Sequence, residues 1–358
     1  MIYLNKILIF LSIFTIIYSQ TVYEQIIYEN EEELDIFAYQ LPENFDSNLL
    51  YPLLIAFHQW GGNHMSPFST TFDEEANERG WLFMSPFGGS SNNYNHQQAQ
   101  YMVKKEIEWM IDNYNIDINR IYMVGGSMGG ASGMIYANNH LNPEEPMVAA
   151  TASASGILDC ERRAIEMDGN NSMTEWFGGG YDEVPFEYHR NSAIYFADST
   201  QSMHYNLEYT PLYFDFGITE THRTHAEDMY QVMNGYNQNL WIDENPTGSH
   251  GFSVFDENHV CDWLEQFELN NNPDNINVNL DESSRAYWIE VHNDEQIENE
   301  FMKIIASREV YEDSLVLNIE ETQNIAYNSL TLHVMDDLYN YINLSYNGLL
   351  PYDGYNSV

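Results

Sequence analysis

Near the middle of the chain the sequence reads Ile121-Tyr122-Met123-Val124-Gly125-Gly126-Ser127-Met128-Gly129-Gly130. The apolar run before Gly125 is typical of a strand buried on both faces, and a helical pattern begins at Met128. Ser127 lies at the centre of a Gly-x-Ser-x-Gly motif in the turn between them. A tight strand–turn–helix elbow exposes such a serine as a nucleophile, with helix N-terminal N–H groups beside it. The alternative is a glycine-rich turn with an idle serine.

On both sides of this elbow, buried apolar runs alternate with helical patterns. Strands are predicted over residues 21–27, 34–41, 53–57, 81–84, 121–124, 148–153, 212–216 and 239–242, and helices over 72–79, 97–114, 128–138, 226–233 and 260–267. Such alternation predicts a mostly parallel, doubly wound α/β domain, which we assign to residues 20–268. The chain has 358 residues, more than one core usually serves, so a second, smaller domain is expected.

The C-terminal part of the sequence has a different character. Residues 269–277 are rich in asparagine and contain Pro273, which is typical of a linker. Residues 278–358 contain short β-like runs without helical patterns between them, and they predict a small antiparallel β-sandwich domain. This domain could hold a polymer or simply pack on the catalytic domain. It carries no candidate catalytic constellation.

The first 19 residues indicate the compartment. Lys6 precedes an apolar run from Ile7 to Tyr18, and Ser19 follows as a small residue. This layout predicts a secretory signal peptide over residues 1–19, and so a secreted protein, extracellular or periplasmic. The run is shorter than the roughly 20 apolar residues that cross a bilayer comfortably, although an uncleaved anchor is the alternative.

Composition excludes some classes of partner. The chain has 55 acidic and 12 basic residues, a formal net charge of −43, which repels nucleic-acid phosphates and anionic lipid. We therefore expect no nucleic-acid partner and no membrane contact beyond export. Cys160 and Cys261 are the two cysteines; they could form one disulfide or remain as two buried thiols.

Two stretches carry a resemblance to a known superfamily. The elbow segment from Asp117 to Gly130, and the segment from Gly178-Gly179-Gly180-Tyr181 through Tyr188-His189-Arg190-Asn191-Ser192, resemble α/β-hydrolases of the prolyl-oligopeptidase type and of the polyhydroxybutyrate-depolymerase and feruloyl-esterase type. The resemblance covers about residues 35 to 268. It implies the α/β-hydrolase fold and a serine hydrolase that needs no cofactor and no metal.

The resemblance also points to an oxyanion hole. His58-Gln59-Trp60-Gly61-Gly62 follows the predicted strand 53–57, where these hydrolases lend one backbone N–H to the oxyanion. The match implies Trp60 and Met128 as backbone donors. Gln59 stands where the superfamily usually has glycine, so either Gln59 or Trp60 could supply the N–H, and the Gln59 amide could lie in the site. The His58 side chain is interpreted as structural.

In this fold the nucleophile, the acid and the histidine follow one another along the chain, and the histidine lies in a loop after the last strand. His250, in Gly248-Ser249-His250-Gly251-Phe252, occupies that place. His259 competes for the role, but it falls on or at the edge of the following predicted helix. We therefore predict His250 as the general base.

The acid is expected after the strand 212–216. The superfamily has a glycine, two residues and then an aspartate, and here Gly217 is followed at that spacing by Glu220. Glu220 is therefore the predicted acid. Asp215 and Asp228 are rivals, the first inside a buried strand and the second on the next helix. His222 and His225 lie in the same region and are expected to be solvated loop histidines, because no convincing third metal ligand accompanies them.

These residues predict hydrolysis of a carboxylic ester through an acyl-enzyme, with Ser127, His250 and Glu220 as a catalytic triad. The expected partner is a small-molecule or polymeric ester, with Gln59 and Trp176 as substrate contacts. A serine peptidase of the prolyl-oligopeptidase type is the alternative enzyme. A non-catalytic binding protein on the same scaffold is a third hypothesis, which a broken triad would have indicated.

Overall fold

The structure is a computed structural model that describes residues 20–169, 171–292, 299–311, 314–325, 330–334, 341–346 and 349–354. The predicted signal peptide, residues 1–19, lies outside the described residues. Within those ranges, none of the helices combines the length and the apolar character needed to cross a bilayer.

The larger part of the described chain is built on an eight-stranded sheet in the order β1-β2-β4-β3-β5-β6-β7-β8. The strands are β1 (Val22–Glu29), β2 (Glu32–Gln40), β3 (Tyr51–Phe57), β4 (Leu82–Pro86), β5 (Ile116–Gly126), β6 (Ala150–Ala154), β7 (Leu212–Asp215) and β8 (Leu240–Ile242). β2 pairs antiparallel with both β1 and β4. The other six strands, β3 to β8, run parallel to one another. This is the mostly parallel, doubly wound sheet that the sequence predicts.

Helices cover both faces of this sheet. They are α1 (Phe72–Glu78), α2 (Gln97–Asn113), α3 (Met128–Asn139), α4 (Cys160–Glu166), α5 (Met173–Phe177), α6 (Pro185–Arg190), α7 (Arg223–Met233) and α8 (Glu257–Leu264). Alternate residues of β3 enter two separate cores: Leu53 and Ile55 belong to one, and Leu54 and Ala56 to the other. Both faces of the strand are therefore buried, which explains its unbroken apolar sequence.

The C-terminal strands form two smaller sheets. One has the order β16-β15-β13-β12-β9 and the other the order β10-β11-β14. The strands are β9 (Asn275–Leu280), β10 (Arg285–Ala286), β11 (Ile289–Val291), β12 (Met302–Val310), β13 (Ser314–Gln323), β14 (Leu330–Leu332), β15 (Tyr341–Tyr346) and β16 (Leu349–Gly354). Most pairs are antiparallel, as expected, but β13 and β15 are parallel. β9 begins inside the segment predicted as a linker, residues 269–277.

The C-terminal sheets pack on the α/β part through a shared apolar core. Leu141 and Met147, which lie between α3 and β6, are buried in one cluster with Ile276 and Trp288. An ion pair between Arg190 and Asp281, 2.6 Å, crosses the same boundary. The C-terminal strands therefore bury surface of the α/β part.

Asn206 joins the two parts by closing the outer edge of β9. Its side-chain amide nitrogen donates to the backbone oxygens of Asn138 and Asn279, both at 2.8 Å, and its oxygen accepts from the Asn279 N–H, also at 2.8 Å. Asn206 is almost fully buried. The side chain therefore replaces the neighbouring strand that the edge of β9 lacks.

The two cysteines are free and buried. Burial raises the pKa of the Cys160 thiol to about 12, and it also raises the pKa of Cys261. Of the two possibilities left open by the sequence, the structure has the pair of buried, unreactive thiols.

We expect Asn206→Ala to lower the free energy of unfolding by about 3 kcal/mol, because it leaves three buried backbone groups without partners. Asn275→Ala is the matched control: Asn275 is exposed on β9, so its loss should change stability by less than about 0.5 kcal/mol. Urea denaturation of both variants measures the difference. Equal stability of the two variants would show that the Asn206 bridge contributes nothing.

Candidate active site

Ser127 lies at a strained turn between β5 and α3. Its φ is +57° and its ψ −119°, a backbone conformation that a non-glycine residue adopts only when its surroundings impose it. Close packing requires glycine at positions 125 and 129. A Cβ at Gly125 would lie 2.1 Å from the Gly129 carbonyl oxygen. A Cβ at Gly129 would lie 2.5 Å from the carbonyl oxygens of Phe57 and His58. The elbow is thus possible only with glycine at both positions.

His250 reaches Ser127 from the loop that follows β8. Its Nε2 lies 2.8 Å from the Ser127 Oγ. The Ser253 hydroxyl holds the loop, because it accepts from the His250 N–H at 3.2 Å and donates to the His250 carbonyl at 2.8 Å. The backbone of His250 is therefore held by its own loop.

Glu220 lies on the other side of the His250 ring. Its Oε2 is 2.7 Å from the His250 Nδ1, and its Oε1 accepts from the Ser155 hydroxyl at 2.6 Å and the Gly217 N–H at 2.7 Å. Burial raises the pKa of this carboxyl, but the hydrogen bonds from His250, Ser155 and Gly217 outweigh burial and hold the pKa below its usual value. Glu220 is therefore ionised, and the structure joins Ser127, His250 and Glu220 in one hydrogen-bonded chain.

The rival residues are engaged elsewhere. Asp215 accepts from the Phe216 N–H at 2.8 Å, and burial raises the pKa of its carboxyl to about 7. Asp228 pairs with Arg162 at 2.7 Å. The ring of His259, on α8, packs against Trp241.

Ser155 belongs to the site although the sequence analysis did not identify it. It directly follows β6 and has a φ of +53°. Its hydroxyl donates to Glu220 and accepts from the Gly251 N–H at 2.9 Å, so it links Glu220 to the loop that carries His250. A polar residue at the carboxyl end of a strand adjacent to β5 was the available signal.

The predicted oxyanion donors are backbone groups that the protein leaves unused. Among the described residues, the N–H groups of Gln59, Trp60 and Met128 have no hydrogen-bond acceptor, whereas Gly61 and Gly62 donate to Ser91 and Gln59. Met128 is the first residue of α3, where N–H groups point out of the helix. The choice between Gln59 and Trp60 stays open. The His58 ring bridges the carbonyl oxygens of Gln59 and Phe87, both at 2.9 Å, in keeping with a structural role.

The two predicted substrate contacts differ in their surroundings. The Gln59 side chain accepts from the Phe252 N–H at 3.3 Å, so it supports the histidine loop. Trp176 is half-buried and stacks on His96 with ring centroids 4.7 Å apart. Trp60, 58% exposed, borders a groove of about 440 Å³. The groove is lined also by Gly62, Ser66, Ser69, Thr70, Phe252 and Glu257.

His222 and His225 are not solvated, which corrects the expectation from the sequence. His222 is 7% exposed and His225 is fully buried. The His225 Nδ1 accepts from the N–H groups of Leu158 and Asp159 at 3.2 and 3.3 Å. Burial lowers the pKa of the His222 imidazole to about 4, so this ring is neutral at pH 7. Its centroid lies 4.8 Å from that of His250.

No protein-family model and no curated protein matches this sequence. Solved structures do match it. A truncated carbohydrate esterase from gut microbiota has a TM-score of 0.55 and 17% identity, over 69% of this chain and 95% of that chain. An esterase from Pyrobaculum calidifontis has a TM-score of 0.50 and 14% identity, over 69% and 85% of the two chains. A candidate dipeptidyl aminopeptidase IV from Bacteroides ovatus has a TM-score of 0.50 and 15% identity, over 69% and 36%. These likenesses establish the predicted α/β-hydrolase fold.

We expect Ser155→Ala to slow the reaction of Ser127 with a fluorophosphonate by about 10- to 100-fold, because a hydrogen bond to a charged group contributes about 1.5 to 3 kcal/mol. The matched control is Ser153→Ala, since Ser153 is also buried but its hydroxyl has no hydrogen-bond partner among the described residues. Mass spectrometry of the adduct over time gives the rates. A wild-type rate in Ser155→Ala would contradict the role of this serine.

Proposed function

We propose that this protein is a serine hydrolase that cleaves carboxylic esters through an acyl-enzyme. The observation that carries the proposal is the chain of two short hydrogen bonds, 2.8 Å from Ser127 to His250 and 2.7 Å from His250 to Glu220. A serine, an imidazole and a buried carboxylate in this order form the arrangement that activates a hydroxyl at neutral pH.

In the first half of the reaction, the Ser127 Oγ attacks the ester carbonyl and its proton passes to the His250 Nε2. Glu220, ionised and 2.7 Å from Nδ1, stabilises the imidazolium that forms. The N–H of Met128 and that of Trp60 or Gln59 donate hydrogen bonds that stabilise the negative charge on the carbonyl oxygen. The intermediate then collapses, and His250 returns the proton to the departing alcohol.

In the second half, a water molecule attacks the acyl-enzyme by the same route. His250 takes a proton from the water, and the same two N–H groups hold the second oxyanion. The carboxylic acid leaves and Ser127 regains its proton from His250. Each step uses groups of this chain and water, so the proposed cycle requires no cofactor.

The comparisons with solved structures favour esters over peptides as substrates. Two of the structures similar to this chain are an esterase and a carbohydrate esterase, which match over 85% and 95% of their own lengths. The peptidase-like match from Bacteroides ovatus extends over 36% of that protein. The groove beside Trp60 offers the substrate an aromatic surface together with hydroxyl groups.

We expect Ser127→Ala to abolish ester turnover and Glu220→Gln to reduce kcat by about 10⁴-fold, the effect of replacing the acid in the best-known triad. Asp215→Asn, at the buried rival carboxyl two residues before Gly217, should reduce kcat by less than about tenfold. Steady-state kinetics with a p-nitrophenyl ester, on variants shown to be folded by circular dichroism, makes the comparison. A larger loss in Asp215→Asn than in Glu220→Gln would reverse the assignment of the acid.

We expect kcat/KM for a short acyl ester to exceed that for any aminoacyl or dipeptidyl anilide by at least about 10³-fold, or roughly 4 kcal/mol of transition-state discrimination. Both substrate types release a chromophore, so one spectrophotometric assay compares them. Ser127→Ala serves as the blank for each. Comparable values for the two substrates would favour a peptidase.

We also propose that the protein is exported and acts outside the cytoplasm, on the pattern of residues 1–19. Expression in a secreting host should release a protein whose N-terminal residue is Gln20. N-terminal sequencing of the released protein tests this expectation. A cell-bound product that retains residues 1–19 would indicate the anchor instead.

A further inference from the structure

The reaction described above gives the buried imidazole of His222 no role. Its Nδ1 lies 3.9 Å from the Glu220 Oε2, beyond hydrogen-bond distance. Neither of its ring nitrogens has a hydrogen-bond partner among the described residues, although the residue is 7% exposed. A buried polar group without a partner is costly, so this ring calls for an explanation.

The surroundings of His222 form a set of metal ligands. Glu220, His222 and His250 each offer one ligand atom, and the three atoms lie within 4.8 Å of one another. Two imidazoles and one carboxylate are the protein ligands of many open, four-coordinate zinc sites, in which water takes the remaining position. Zinc bonds of about 2.0–2.2 Å in a tetrahedron place the ligand atoms about 3.3 Å apart. The 2.7 Å contact between His250 and Glu220 would widen and the 3.9 Å separation between His222 and Glu220 would shorten, each by about half an ångström. The third separation, between the ligand nitrogens of His222 and His250, lies within 4.8 Å and would shorten by up to about 1.5 Å.

We propose that Glu220, His222 and His250 form an inhibitory site for zinc. The inference rests on the proposed function, because it concerns regulation of the same triad. Zinc would bind the His250 Nδ1 through the lone pair of that nitrogen. The single proton of the neutral ring then resides on Nε2, so no proton is gained or lost overall. In that tautomer, Nε2 cannot accept the Ser127 proton, and the nucleophile is no longer activated.

Access and charge favour a cation at this position. The His250 side chain is 38% exposed, whereas the side chains of Glu220 and His222 are 5% and 8% exposed, so zinc would enter past the His250 ring. The net charge of −43 attracts cations to the surface of the protein, although the Arg163 guanidinium near His222 opposes a cation locally. Imidazole ligands select zinc over calcium and magnesium, which prefer oxygen ligands. Magnesium therefore serves as the control for a general effect of divalent charge.

The test is a titration of EDTA-treated, dialysed protein with Zn²⁺ in the p-nitrophenyl ester assay. His222→Phe keeps a ring beside His250 but removes the ligand, and His259→Phe removes a histidine of α8 that lies outside the cluster. We expect wild type and His259→Phe to lose activity reversibly, with EDTA restoring it. His222→Phe should require at least about tenfold more Zn²⁺ for half-inhibition, since loss of a ligand should cost no less than the 10–100-fold seen for outer-shell partners. Mg²⁺ should inhibit none of the three.

Equal zinc sensitivity in wild type and His222→Phe would overturn the inference, and so would an active wild type that zinc does not inhibit. Isothermal calorimetry with Zn²⁺ provides a second measurement that needs no turnover. Wild type should bind one zinc at this site, and His222→Phe should lose it; if the Phe variant fails to fold, His222→Leu replaces it. Protein that binds zinc through His222 but lacks ester turnover in EDTA would contradict the proposed function and leave the metal site standing. Absence of His222-dependent binding would remove the site whatever the activity.

Discussion

The contact of Gly129 with the carbonyl oxygens of Phe57 and His58 is the constraint on which the site depends. It brings the first turn of α3 against the end of β3 at a distance that excludes any side chain. Ser127, between Gly126 and Met128, has a positive φ at this turn and directly follows the carboxyl end of β5. Ser127, the unpaired Met128 N–H and the turn after β3 consequently lie close together. The strain at one residue is offset by the close packing of the two elements around it.

The strand order then determines which loops meet Ser127. β5, β6, β7 and β8 are consecutive neighbours and run parallel, so the segments that follow them emerge at one edge of the sheet. Ser127 follows β5, Ser155 follows β6, Glu220 follows β7 and His250 follows β8. The hydrogen bonds run from one loop to another along this edge. A parallel sheet converts separation along the chain into proximity at its carboxyl edge.

Hydrogen bonding, and not burial alone, decides the pKa of the buried carboxyl groups of this protein. Glu220 and Asp215 are both removed from solvent in neighbouring positions. Three hydrogen bonds hold the pKa of Glu220 below its usual value, whereas burial raises the pKa of Asp215 to about 7. Glu106, fully buried beside Asp35, has its pKa raised well above the usual value for the same reason. Among the 55 acidic residues of the chain, Glu220 thus stays ionised in a buried position because hydrogen-bond donors surround its carboxylate.

The local sequence predicted most of the elements of the α/β part and the elbow that holds Ser127, but not the short helices α4, α5 and α6. Apolar runs located the buried strands, and the glycines around Ser127 located the elbow, because both depend on residues adjacent in the chain. Chain order in the resembled fold pointed to Glu220 and His250. Tertiary structure alone decided that Ser155 donates to Glu220, that His222 is buried beside His250 and that Cys160 and Cys261 are free thiols. It also decided that β13 pairs parallel with β15 and that Asn206 closes the edge of β9. Each of these features depends on contacts between residues far apart in the chain. The periodic patterns of a sequence report only on neighbouring residues, so they do not predict such contacts.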